Sequence, residues 1–153
     1  MTQEDKELVL KDLCARLPYH IKVAINYEIY LKILPDEKFK EHFLILLEYD
    51  KKTIEEKSLE PHIICSYPCR NRFMTFTGCH DEYGVPIEAI KPYLRPMSSM
   101  TEEEEKEYLL FSFSRTNTEC LDWLNAHHFD YRGLIEKGLA LEAPIGMYNI
   151  EEK

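Results

Sequence analysis

From Ile21 to Ile33 every odd position is apolar or aromatic: Ile21, Val23, Ile25, Tyr27, Ile29, Leu31 and Ile33. Even positions include Lys22, Asn26, Glu28 and Lys32. A period of two puts one face of an extended chain in the core and the other outside, so this stretch predicts a strand. It is long for a strand, which predicts a bend or two strands in one register. No glycine sits near Asn26, which favours a bend over a tight hairpin.

The residues before it follow a different period. Leu10, Leu13, Cys14 and Leu17 recur at helical spacing. Thr2 with Asp5 makes a helix-opening cap, and Pro18 stops the helix. Cys14 lies on the apolar stripe and reads as core.

After the alternating stretch the reading divides. Residues 35–60 fit either a helix opened by Pro35-Asp36-Glu37 or a turn followed by a buried strand. Further on, His62 to Tyr67 and Arg72 to Thr77 read as strands that pair across a turn, and Gly78 to Gly84 is a second turn. Val85 to Ile90 would end the sheet, because Pro92 and Pro96 oppose a further central strand. The tail predicts three helices. Thr101 with Glu104 caps the first, and Tyr108 to Phe113 is apolar enough to dock. Glu119 to His128 is the second, and Asp130 to Lys137, closed by Gly138, is the third. The fold class is therefore α+β: an N-terminal helix, a small curved antiparallel sheet or SH3-like partial barrel over roughly residues 20–91, and a helical C-terminal tail.

Charge divides the chain too. The net charge is -9 over 153 residues, and residues 98–153, with five bases against twelve acids, carry -7 of it. This places a boundary near Pro96 to Ser99, giving a helix plus β-domain over 1–97 and a helical region over 98–153. An acidic chain makes nucleic acid an unlikely partner. The longest apolar run, Phe43 to Leu47, is far short of the ~20 residues of a membrane span. Five cysteines, and a first dozen residues half of them charged, predict reduced thiols, no signal peptide and a cytoplasmic setting.

Two clusters could carry chemistry. His62, Cys65, Cys69, Cys79 and His80 are the residue types that bind zinc, but they lack paired Cys-x2-Cys knuckles, and alternation turns His62 and Cys65 to opposite strand faces. No bound metal or cofactor is expected. The second cluster, Trp123, His127, His128, Asp130, Tyr131 and Arg132, joins two imidazoles, a carboxylate and a guanidinium. His127, His128 and Asp130 could support acid–base chemistry, yet no nucleophile or second carboxylate stands beside them in sequence. Phosphate-cradling glycine loops and hydrolase or deaminase signatures are absent. The bland assignment of this corner is structural, with Asp130 capping, His128 packing and Arg132 paired with a carboxylate. The alternative makes Trp123, His127, Tyr131 and Arg132 a binding surface on a helical hairpin spanning Trp123 to Leu141. Leu121, Leu124, Leu134 and Ile135 would then pack inward. Aromatics and arginine are the composition of binding hot spots, although Trp123 would serve equally as a core anchor.

The strings KDLCARLPY (Lys11 to Tyr19), IKPYLRPMSSMTEEE (Ile90 to Glu104) and DWLNAHHFDYRGLIEKGLALEAP (Asp122 to Pro144) resemble a family of small uncharacterised proteins encoded by phages and prophages of gut bacteria. The resemblance covers the two ends and leaves out Ile25 to Val85. It implies a setting, a mobile-element accessory protein in a bacterial cytoplasm, and brings no catalytic residue or cofactor. Together with the missing catalytic motifs, it favours a non-enzymatic module that binds a host or phage protein, an inhibitor of a host factor being one form. The alternative is a small metal protein or enzyme built on one of the two clusters.

Overall fold

The computed structural model describes residues 1–29, 61–63, 72–73 and 85–148. Helix α1 (Gln3–Arg16) opens with the capping box expected at Thr2 and Asp5. A 3₁₀ turn over Leu17–Tyr19, with Pro18 inside it, ends the helix and leads into strand β1 (Lys22–Ile25). Then come β2 (His62–Ile63), β3 (Arg72–Phe73), β4 (Val85–Pro86) and β5 (Ile90–Leu94). Helix α2 (Glu102–Ser114) and helix α3 (Asn117–Ala126) follow, and strand β6 (Leu141–Glu142) is the last described element.

The α+β class is what the structure shows, with three corrections to the sheet. The strand predicted from Ile21 ends at Ile25, because the Asn26 side chain accepts the Ile29 amide at 3.1 Å and residues 27–29 turn helical. Secondly, β3 pairs with β4, not with the strand at His62, which pairs with β1. Thirdly, the main sheet has the order β2-β1-β5-β6 and is mixed: β1 is antiparallel to both β2 and β5, and β6 joins β5 in parallel. The β3–β4 pair is a second, two-stranded sheet. The helix-or-strand question over 35–60 lies outside the described residues.

Pro92 does sit inside a strand flanked on both sides. The Asn26 amide donates to the Ala89 carbonyl at 2.7 Å, which makes that position hydrogen-bonded. Antiparallel pairs alternate, so Val23 opposite Pro92 is a non-hydrogen-bonded pair and needs no amide there. On the other side, pairing with β6 begins only at Tyr93. The missing N–H thus falls at a point where neither neighbour calls for it.

The main core joins both charge segments. Val9 and Leu13 of α1, Ile21, Val23 and Ile25, Ile87 and Ile90, and Leu134 and Leu139 of the tail are all buried in one cluster. The inward face of α1 comprises Val9, Asp12, Leu13 and Arg16, so it is turned by one residue from the stripe read in sequence. Leu10, Cys14 and Leu17 are only partly buried at its edge. The rotation comes from a buried ion pair. Arg16 Nε donates to Asp12 Oδ2 at 2.9 Å and Nη2 to Oδ1 at 3.0 Å, and both side chains are 0% exposed. The same Nη2 donates to the Phe129 carbonyl at 2.7 Å, and Arg132 reaches Asp12 Oδ1 at 2.7 Å. The first helix is thereby bonded to the tail across more than a hundred residues of sequence.

Removing one member of such a cluster leaves a buried charge without its counter-ion. Asp12→Ala is expected to cost about 3–5 kcal/mol, a fall in melting temperature on the order of 10 °C for a chain of this size. Asp12→Leu combined with Arg16→Met is expected to recover most of that loss. Thermal melts of the single and double variants check both.

Candidate functional site

The corner after α3 is where the sequence concentrates its unusual side chains. Helix α3 opens with a Thr116/Glu119 capping box and closes at His127 in a defined pattern. The Phe129 amide bonds to the Leu124 carbonyl at 3.0 Å and the His128 amide to the Asn125 carbonyl at 3.1 Å, with His128 left-handed at φ 60°. This is a Schellman closure in which histidine occupies the position usually given to glycine. Ten residues on, the pattern recurs: the Leu139 amide bonds to Leu134, the Gly138 amide to Ile135, and Gly138 has φ 71° as its C-terminal stop requires. Between them the chain makes successive turns, so the third helix predicted over Asp130 to Lys137 does not form. The reason is Asp130, whose carboxylate accepts the Leu134 and Ile135 amides at 2.8 and 2.9 Å and folds the backbone into a cap with no room for a helix before it stops. Of the four side chains expected to point inward, Leu124 and Leu134 are buried, Ile135 is partly so, and Leu121 is exposed.

Trp123 is 6% exposed and forms the centre of a second, smaller core with Leu124 and Phe129. It stacks on His127 with ring centroids 4.0 Å apart and meets Tyr108 and Phe111 of α2 at 5.7 and 6.4 Å. His127 is buried with it, its Nδ1 2.8 Å from the Trp123 carbonyl. The surface expected from Trp123, His127, Tyr131 and Arg132 is thus divided. The first two are core, because a helix that buries Leu124 and Asn125 brings Trp123 in with them. Tyr131 and Arg132 remain partly exposed, and both are engaged: the tyrosine hydroxyl donates to Asn125 at 2.9 Å, and Arg132 lies over the Tyr131 ring while bonding Asp12.

His128 is enclosed. Its ring stacks on Tyr148 at 3.9 Å, and its Nδ1 has no hydrogen-bond partner among the described residues. Burial, then the charges of Arg16 and His127, push its pKa down to about 3, against a smaller opposing pull from the Tyr19 backbone. Such an imidazole is neutral at pH 7 and too weak a base for proton abstraction near neutrality. Tyr148 acts as a strap. Its hydroxyl accepts the Lys22 amide at 3.0 Å and donates to the Tyr93 carbonyl at 2.9 Å, while Lys22 Nζ donates to the Met147 carbonyl. Burial raises the Tyr148 phenol well above its ordinary range, so it stays a donor.

Arg95 completes the corner. It donates two bonds of 2.8 Å to Glu104 and lies 4.3 Å over the Phe129 ring. Glu104 also caps α2 with Thr101. Burial pushes its carboxyl up, but the Arg95 and Thr101 bonds and the Arg95 charge outweigh this and hold it below the usual value. The sequence shows Glu104 as a cap but not the roles of Asp12, Arg16 and Arg95, which depend on distant contacts with Phe129 and Arg132.

Of the zinc-like cluster only His62 lies within the described residues; Cys65, Cys69, Cys79 and His80 lie outside them. His62 Nε2 is 3.3 Å from the Tyr27 hydroxyl. Among the described residues no three histidine, cysteine or acidic side chains converge on a metal position, and no helix is long and apolar enough to cross a membrane.

Three exposed apolar side chains lie together elsewhere. Leu109, Leu110 and Phe113 of α2 are 53%, 68% and 88% exposed. At about 100° per residue they share an arc of the helix opposite Glu104, Tyr108 and Phe111, and of these the two aromatic rings meet Trp123. The helix is apolar on both sides.

No family model, no curated protein and no solved structure matches the chain.

Two outcomes follow from the corner's geometry. Trp123→Ala is expected to cost about 3–5 kcal/mol, lowering the melting temperature by about 10 °C. His128 is neutral in the fold down to about pH 3 but binds a proton near pH 6.5 when unfolded. The unfolded chain therefore holds more protons between these values, and stability falls as pH drops below about 6.5, by up to about tenfold in the folding equilibrium per pH unit. Denaturant titrations from pH 7 to 4.5 are expected to show that loss, and His128→Asn, which tolerates the left-handed backbone, to flatten it.

Proposed function

We propose that this chain is a non-enzymatic binding module, an accessory protein of a phage or related mobile element that docks on a host or phage protein in the bacterial cytoplasm. The observation that carries the docking role is the outward face of α2, where Leu109, Leu110 and Phe113 stand exposed on a helix whose other side is already anchored to Trp123. Large apolar side chains grouped on one exposed helix face mark interaction sites more often than solvated surface. The resemblance at Lys11 to Tyr19, Ile90 to Glu104 and Asp122 to Pro144 supports the mobile-element setting. The engagement of His127, His128 and Asp130 in stacking and capping supports a non-catalytic corner, whose work is to hold the α2–α3 hairpin rigid.

The test is affinity capture from bacterial lysate with mass spectrometry, comparing the native chain with Leu110→Ser/Phe113→Ser. The variant is expected to melt within a few degrees of the native chain, since both side chains are exposed, and to lose the captured protein. Unchanged capture would remove the α2 face from the reading.

A further inference from the structure

We infer that the outward face of α2 takes a cationic amphipathic helix; this rests on the docking role proposed above and adds the chemistry of the partner. Leu109, Phe113 and Leu110 run along one arc of the helix, and exposed glutamates lie on both sides of it. At about 100° per residue, Glu105 flanks the stripe on one side and Glu103 and Glu107 on the other, with Glu102 at its N-terminal end. Lys106 is the one exposed base among them, so four exposed glutamates and one lysine leave this half of the helix at -3. Glu104 is buried and does not contribute; Arg95 holds it.

The apolar and acidic parts are offset along the axis. Leu109 to Phe113 occupy the C-terminal half and Glu102 to Glu107 the N-terminal half. A matching partner is a helix with an apolar seam for the three side chains and Lys or Arg beside it, the helix-in-groove mode in which apolar anchors give affinity and flanking charge gives orientation. A second copy of this chain fits less well. It would bring a further net charge of -9 and, from its own α2 and its C-cap, only Lys106 and Arg115 to set against the glutamates. That arginine is already drawn over the Phe111 ring at 5.8 Å.

The test uses two synthetic amphipathic peptides of about five helical turns, one Leu/Lys and one Leu/Glu, titrated against the full chain by calorimetry. The Leu/Lys peptide is expected to bind at least about tenfold more tightly than the Leu/Glu peptide and to weaken as salt is raised. Leu110→Ser/Phe113→Ser is expected to abolish binding, and Glu103→Gln/Glu105→Gln/Glu107→Gln to weaken it by about tenfold. Glu142→Lys, elsewhere on the acidic tail, is expected to leave it unchanged, which separates this face from general attraction to an acidic protein. Equal binding of both peptides, or indifference to the three glutamates, would overturn the cationic partner and leave the docking role standing. Binding of neither peptide would overturn the inference, and the capture comparison then decides the docking role by itself. Concentration-dependent dimerisation lost in Leu110→Ser would also overturn it, in favour of a second copy.

Discussion

The Asp12–Arg16 pair is the interaction on which the described structure turns. Four residues apart on α1, the two side chains would form a minor surface pair in an isolated helix. Buried, they need partners beyond each other, and the tail supplies two: the Phe129 carbonyl for Arg16 and the Arg132 guanidinium for Asp12. The pair therefore forces the closed corner after α3 to meet the first helix. It also sets the rotation of α1, which buries Val9 and Leu13 and leaves Leu10 and Cys14 at the edge.

From that contact the arrangement propagates by short steps. Phe129, whose carbonyl is held by Arg16, lies under the Arg95 guanidinium, which in turn grips Glu104 at the start of α2. Backbone bonds from Arg95 to His128 and from Asp130 to Arg95 lock the corner to the end of β5. Tyr148 ties the last described residues across β1 and β5. The consequence for function is an α2 helix fixed at its capped end, braced along Tyr108 and Phe111, and free on its apolar outer face. For the proposed docking role, such bracing would reduce the ordering entropy lost on binding.

The alternation from Ile21, the caps at Thr2 and Thr101 and the stop at Gly138 are legible in sequence because each depends on neighbours within a turn or two. The fold class followed from them. The misreadings have separate local origins. Apolar periodicity treats Asp12 and Arg16 as exposed, which turns α1 by one residue, and it continues the strand past Asn26, whose side chain ends it. Proline's missing amide argues against Pro92, which the register of its two neighbouring strands allows. The corner residues were noticed for their chemistry, yet their roles in stacking and capping depend on which side of α3 faces α2.

The sequence by itself determined the local grammar: where helices start, where the period changes, where a left-handed residue closes a turn, and that the last third is acidic. These are set by backbone hydrogen bonding and side-chain patterns of short range, which need no distant partner. Only the tertiary structure decided that Trp123 is a core anchor, that His128 is enclosed and neutral, that Arg95 ties the end of β5 to α2 through Glu104, and that Leu109, Leu110 and Phe113 face outward. Each of these is a choice between two faces of one element, and a face becomes inner or outer only when long-range pairs such as Arg16 with Phe129 have fixed what lies against it.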